Sequence, residues 1–253
     1  MNGADMGDKL LTAAGRRIAF DRVEGRGPGV LFLGGFKSDK EGTKALALSD
    51  WAKRQGRAFV RFDYSGHGAS SGAFLDGAIS DWAEDAGEVL ARLCDGPQVL
   101  VGSSMGGWIG LLLARRMPER VAGFVGIAAA PDFTEDLMWA RFTGAERAEM
   151  AATGQVAQPS DYSDEPYILT RRLIEDGRRN LVLRMPLGLD APVRLLQGTA
   201  DEDVPVAVAE RLFAHLDSPD ARLTLVKGAD HRFSTPDCLS LIEATVEDVL
   251  ARV

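Results

Sequence analysis

Ser104 stands in Gly102-Ser103-Ser104-Met105-Gly106, between an apolar run, Gln98 to Gly102, and a helical pattern, Met105 to Met117. A serine at the middle of Gly-x-Ser-x-Gly, on a turn from strand to helix, has the context of a nucleophile elbow. The flanking glycines let strand and helix approach closely around a strained turn. A serine hydroxyl is essentially un-ionised at neutral pH, so it needs a base within hydrogen-bond reach and a third group to hold that base.

The chain has only three histidines to serve as base, His67, His215 and His231. His215 falls inside a helical pattern and reads as a surface or packing residue. His67, in Asp63-Tyr64-Ser65-Gly66-His67-Gly68, precedes the serine and reads as structural. His231 follows the last predicted strand in Gly228-Ala229-Asp230-His231, at an edge of the sheet where ligand sites collect, and is the expected base.

The acid is expected between serine and histidine in the chain. Gly198 to Pro205 (GTADEDVP) offers three carboxylates just after the run Val193 to Gln197. Asp201 comes earliest off that strand and is the expected partner of His231, with Asp203 the alternative; Glu202 reads as solvent-facing or capping.

Acyl transfer also needs donors for a developing oxyanion, worth roughly 3 kcal/mol each when preorganised. The backbone N–H of Met105 is one candidate, and that of Phe36, in the turn Gly34-Gly35-Phe36, is the other. No Gly-x-Gly-x-x-Gly follows a strand, no phosphate-binding lysine loop is present and no His-Glu-x-x-His helix occurs, so no nucleotide cofactor and no metal are expected.

These residues need a scaffold that delivers loops to one edge. Short apolar runs at Gly29 to Leu33, Ala58 to Phe62, Gln98 to Gly102, Val121 to Ala128, Val193 to Gln197 and Arg222 to Val226 read as buried strands. Helical patterns alternate with them at Thr43 to Gln55, Ile79 to Leu93, Met105 to Met117, Pro205 to Leu216 and Asp237 to Ala251. The alternation predicts an α/β fold with a mostly parallel central sheet flanked by helices. Gly15 to Gly25 reads as an N-terminal hairpin.

The pattern breaks once, from Pro131 to Asp190. That stretch is rich in charge, holds Trp139, Phe142, Tyr162 and Tyr167 as exposed-looking aromatics, and is read as a small lid on a single domain spanning residues 1–253. Leu137, Met138, Trp139 and Phe142 either wall an acyl channel or pack the lid onto the core.

Composition excludes several partners. A net charge of −8 without a basic block argues against nucleic acid. No apolar stretch is long enough to span a bilayer, and Met1 to Asp8 does not read as a secretory signal. Cys94 and Cys238 form no metal-binding or redox motif. A soluble, cytoplasmic protein with reduced cysteines is expected; the sequence sets no oligomeric state.

The pieces Gly34-Gly35-Phe36, RFDYSGHGASSG (Arg61 to Gly72), GSSMGG (Gly102 to Gly107), GTADEDVP and GADH (Gly228 to His231) resemble the α/β-hydrolase superfamily over nearly the whole chain. GTKALA (Gly42 to Ala47), RFDYSG and DGPQVLVGSSMGGW (Asp95 to Trp108) are similar, more narrowly, to the small-lid subfamily of mitochondrial palmitoyl-protein thioesterases and acyl-glucuronide esterases and its bacterial relatives. Gly34-Gly35 replaces the His-Gly pair of many superfamily members.

The resemblance implies a serine esterase or thioesterase acting through an acyl-enzyme on Ser104, with a small ester or acyl thioester, or an acylated protein, as substrate. An amidase, a peptidase or a C–C bond hydrolase would use the same three residues, and a ligand-binding relative without turnover would retain them. Serine at position 104 disfavours dehalogenase and the usual epoxide-hydrolase chemistry, which use aspartate there.

Overall fold

The computed structural model describes residues 8–159 and 166–253, so Tyr162 lies outside the described residues. The first half of the chain runs β1 (Lys9–Leu11), β2 (Arg17–Val23), β3 (Arg26–Leu33), α1 (Thr43–Gln55), β4 (Arg57–Phe62), α2 (Ile79–Leu93), β5 (Gln98–Ser103), α3 (Met105–Arg116) and β6 (Val121–Ile127). Then come α4 (Gly144–Thr153), β7 (Gln155–Gln158), β8 (Tyr167–Thr170), α5 (Arg171–Arg179) and β9 (Leu187–Gly188). The chain closes with β10 (Val193–Gly198), α6 (Val206–His215), β11 (Leu216–Asp217), β12 (Ala221–Val226) and α7 (Pro236–Leu250).

Among the described residues, eight strands form the main sheet in the order β1-β2-β4-β3-β5-β6-β10-β12. From β4 to β12 all neighbours are parallel; β2 alone runs antiparallel to both β1 and β4. The expected α/β class is borne out. The central strands are apolar on both faces because helices cover both: Val30, Val99, Val101 and Val125 pack on α1 and α7, while Leu31, Leu33, Leu100 and Phe124 pack on α2, α3 and α6.

Element bounds follow local chemistry. α1 stops at Gly56, whose φ of 60° takes the left-handed turn and whose N–H returns to the carbonyls of Ala52 and Lys53. The expected hairpin at Gly15 to Gly25 is corrected. The tight turn lies at Thr12 to Arg16, where Gly15 has φ 77°, and Arg17–Val23 is one strand inserted between β1 and β4. Its partner on one side comes about forty residues later, so no local pattern announces the pairing.

Both cysteines are free and buried, and burial pushes the Cys94 thiol up to about 12, which keeps it un-ionised and unreactive. Among the described residues no helix is long and apolar enough to cross a membrane.

The stretch expected to be irregular is more ordered than its sequence suggests. It contains a wide helical turn at Thr134–Trp139, then α4, the antiparallel pair β7 and β8, and α5. α5 buries Leu173 and Ile174 in the main core, and Trp108 of α3 donates through Nε1 to the carbonyl of Asn180 at 3.0 Å. Of the aromatics expected to be exposed, Phe142 is buried, while Trp139 and Tyr167 are half-buried.

Candidate active site

The sheet brings the ends of β3, β5, β10 and β12 to one edge, and each of the loops leaving them supplies part of one constellation. This is the carboxyl-end crevice where α/β sheets bind ligands.

Ser104 occupies the turn from β5 into α3 with φ 53° and ψ −117°, a conformation that costs a non-glycine residue roughly 1–3 kcal/mol and persists only where its surroundings hold it. Here they do. The Ser104 N–H donates to Ile127, and the Ser104 carbonyl accepts from Gly107 at 2.9 Å and Ala130 at 3.1 Å. The glycines are required by contact: a Cβ on Gly102 would sit 2.4 Å from the carbonyl oxygen of Gly106, and one on Gly106 would sit 2.0 Å from that of Leu33.

His231 Nε2 lies 3.1 Å from Ser104 Oγ, and His231 Nδ1 lies 2.9 Å from Asp201 Oδ2. With the proton on Nδ1 donated to the carboxylate, Nε2 is left to accept from the serine hydroxyl. The Asp201 side chain is fully buried, and its other acceptor sites are filled. Oδ1 accepts from the backbone N–H of Val204 at 2.8 Å and of Asp203 at 3.1 Å, and Oδ2 accepts from Gln197 Nε2 at 2.9 Å. Burial alone would raise the Asp201 pKa, but His231, Val204 and Gln197 outweigh it and hold the carboxyl below its usual range.

Of the two carboxylates open in the sequence, Asp201 is therefore the one against His231, and Asp203 stands beside it on the cavity wall. Asp201, Asp203 and His231 also form a group whose ligand atoms lie within 4.8 Å of one another. The N–H donors already on Asp201, and its own bond to His231, suit that group to proton transfer rather than to holding a cation.

Met105 is the first residue of α3, so its N–H has no acceptor four residues earlier in the helix. The turn after β3 faces it: a Cβ on Gly35 would lie 3.5 Å from Ser104 Cβ. Phe36 packs its ring edge-on against Phe74, Trp82, Phe133 and Tyr167.

Ser104 and His231 open onto a cavity of about 590 Å³, walled on one side by Phe36, Phe133, Leu137, Met138, Phe142 and Leu169. Trp139 is corrected: it is not among the lining residues, and its ring is held between Arg147 and Arg178 at 5.3 and 4.7 Å.

The other two histidines lie away from this chain of bonds. His215 Nε2 contacts the carbonyl of Met185 at 2.6 Å. His67 is buried, and its ring nitrogens face Ser65 and Lys37. Gln197 was missed in the sequence, where a polar residue ending an apolar strand does not reveal that it is completely buried. Lys44 was missed too; it lines the cavity and donates to the carbonyl of Arg232, next to His231, and burial pushes its amine down to about 8.

A mostly parallel sheet, a serine elbow between β5 and α3, and histidine and carboxylate on later loops define the molecule as an α/β hydrolase. The family described as serine aminopeptidase, S33, matches residues 30–175, and the chain belongs to it. The chain is 34% identical over 241 residues to the mitochondrial palmitoyl-protein thioesterase ABHD10 of Rattus norvegicus, covering 93% of this chain and 80% of that one.

Among solved structures, the mouse α/β hydrolase domain-containing protein 10 superposes with a TM-score of 0.90 at 32% identity, over 97% of this chain and 98% of that one. A protein of Agrobacterium vitis S4, designated only as a hydrolase, does so with a TM-score of 0.93 at 43% identity, over 96% and 98%. The thioesterase relatives from rat, mouse and human are named as mitochondrial, which overturns the expectation of a cytoplasmic protein.

Proposed function

We propose that this chain hydrolyses carboxylic esters and acyl thioesters through an acyl-enzyme on Ser104. The observation that carries the reading is the continuous chain of hydrogen bonds from Ser104 through His231 to Asp201, opening on a cavity with one apolar wall.

Ser104 Oγ attacks the acyl carbonyl carbon while its proton passes to His231 Nε2. Asp201 keeps the imidazole in the required tautomer and stabilises its cation without taking the proton. The tetrahedral oxyanion is received by the backbone N–H groups of Met105 and Phe36. The bond from carbon to oxygen or sulfur then breaks, His231 returns the proton to the leaving group, and water drawn through the same base releases the acid and restores Ser104.

The relatives named palmitoyl-protein thioesterases support an acyl thioester, including one borne on a protein cysteine, as substrate. Leu137, Met138 and Phe142 are the proposed contacts of the acyl chain. The chain acts as one domain with residues 131–190 as its lid, of which Phe133 to Phe142, Gln158, Pro159, Tyr167 and Leu169 supply residues to the cavity wall, and α5 anchors the lid to the core.

The test is turnover of p-nitrophenyl esters of graded chain length and of a palmitoyl thioester by the protein and its Ser104→Ala variant. Loss of about 10⁴-fold or more in kcat is expected for the variant, and full turnover by it would overturn the mechanism. Because the matching family is described as an aminopeptidase, an aminoacyl p-nitroanilide belongs in the same assay. Faster cleavage of the anilide than of any ester or thioester would replace the esterase reading with a peptidase one.

A further inference from the structure

The loop that carries Phe36 is a four-residue turn, Gly35-Phe36-Lys37-Ser38. The Gly35 carbonyl accepts from the Ser38 N–H at 3.2 Å and from Ser38 Oγ at 2.7 Å. Lys37, the third residue, has φ 58°, while Phe36 keeps an ordinary negative φ. That combination marks a type II turn, whose third position is normally glycine.

Type I and type II turns differ by a flip of the central peptide. Here that peptide joins Phe36 to Lys37 and carries the Lys37 N–H. A lysine favours the unflipped form, so something outside the turn must hold the flipped one.

The Lys37 N–H donates to His67 Nε2 at 3.3 Å, and the other ring nitrogen, Nδ1, lies 3.2 Å from the carbonyl oxygen of Ser65. A carbonyl can only accept, so Nδ1 must carry a hydrogen; a backbone N–H can only donate, so Nε2 must be bare. Of the three protonation states of an imidazole, only the neutral Nδ1–H form satisfies both neighbours.

The ring is fixed as well as oriented. It sits edge-on to Tyr64, Phe74 and Trp82 at 5.7, 5.1 and 5.2 Å, and Trp82 Nε1 donates to the same Ser65 carbonyl at 3.1 Å. Burial pushes the imidazole down to about 4, which keeps it neutral at ordinary pH.

We propose that His67 is a positioning residue for the oxyanion turn: its Nε2 holds the Phe36–Lys37 peptide in its flipped form and so locks the turn on which the adjoining Gly35–Phe36 peptide presents the Phe36 N–H to the substrate oxygen. His67 itself touches neither the substrate nor the reacting atoms. The proposal rests on the assignment of the Phe36 amide as an oxyanion donor.

The test combines nitrogen-15 resonances of the His67 ring and of the Lys37 amide with kinetics on a p-nitrophenyl ester. In the unaltered protein the ring proton is expected on Nδ1. His67→Phe fills the aromatic box but offers no acceptor; kcat should fall about tenfold, the scale of a weakened oxyanion donor, with KM within about twofold. His67→Gln, whose amide oxygen can take the Lys37 N–H, should recover part of kcat. Lys37→Gly added to His67→Phe should restore kcat, because glycine adopts the positive φ unaided.

A proton on Nε2, or a fall in kcat that neither the glutamine nor the Lys37→Gly change relieves, overturns the proposal. If the ring proton is on Nδ1 and the Lys37 amide shifts in His67→Phe while kcat does not change, the hydrogen bond is real and the Phe36 assignment is what fails. Should His67→Phe not fold, the tautomer in the unaltered protein and the kcat of His67→Gln decide.

Discussion

The serine elbow and the insertion after β6 are built on opposite principles, although both border one cavity. At the elbow, backbone touches backbone. Gly102 faces the carbonyl of Gly106, Gly106 faces those of Leu33 and Gly34, and Met105 and Trp108 are completely buried. The insertion is tied down by side chains, many of them charged. Asp132 accepts from the N–H groups of Val182 and Leu183 and from Arg184, Asp136 pairs with Arg184 and Arg211, and Asp176 accepts from Ser80 across the boundary with α2. Backbone contact at close range leaves no freedom to substitute. Side-chain ties can be exchanged singly, so one fold can keep its reacting groups fixed while the cover that meets the substrate varies.

The strongest test of that contrast is Gly106→Ala. With its new Cβ 2.0 Å from the Leu33 oxygen, β3 or α3 must move, and a stability loss of about 4 kcal/mol or more is expected, at the upper end for single substitutions. Urea unfolding measures it. A variant as stable as the parent would mean that the elbow is as adaptable as the insertion.

Asp132→Asn probes the insertion's tie at its first residues. Asp132 is fully buried at φ 58°, and an amide there would set N–H against at least one of the three donors it now accepts. Losing hydrogen bonds to a buried charged acceptor should cost about 2–3 kcal/mol. The elbow's own contacts remain, so kcat on an acetyl ester should stay within about twofold. A collapse of acetyl-ester turnover at unchanged stability would show that the two regions are mechanically coupled.

The same contrast explains what could be read from the sequence. The elbow was legible because its cause is local: five residues, a strand before and a helix after. So was α1, which ends where Gly56 turns left-handed. Asp201 and Asp203 stood two residues apart as alternatives, since only the fold shows which carboxylate meets His231. The role of Arg17–Val23 was hidden because its pairing partner, β4, lies far along the chain. The order within the insertion was hidden because its ties run from residue 132 to 184 and from 80 to 176, distances over which charge patterns carry no spacing signal. Gln197 was hidden for a third reason: burial is a property of the neighbours, and they arrive from Asp201 and Val204 on the following loop.

The smallest expected effect is also the one that separates the two sequence readings of the insertion's apolar residues. Leu137 lines the cavity, while Trp139, two residues on, is held between two arginines away from it. If the cavity receives an acyl chain, Leu137→Ala removes apolar contact from the chain's far carbons only. At roughly 0.8 kcal/mol per methylene fully buried, and with Leu137 half-buried, the loss is about 1 kcal/mol, or about fivefold in kcat/KM on a long-chain ester, with the acetyl ester unchanged. Trp139→Ala should leave the ratio of long-chain to acetyl rates as it was, whatever it does to stability. Equal effects of the two variants on that ratio would mean that the lid sets chain length through its overall packing and not through the residues that face the cavity, and the division between a fixed elbow and a tunable wall would then have to be drawn around the whole insertion.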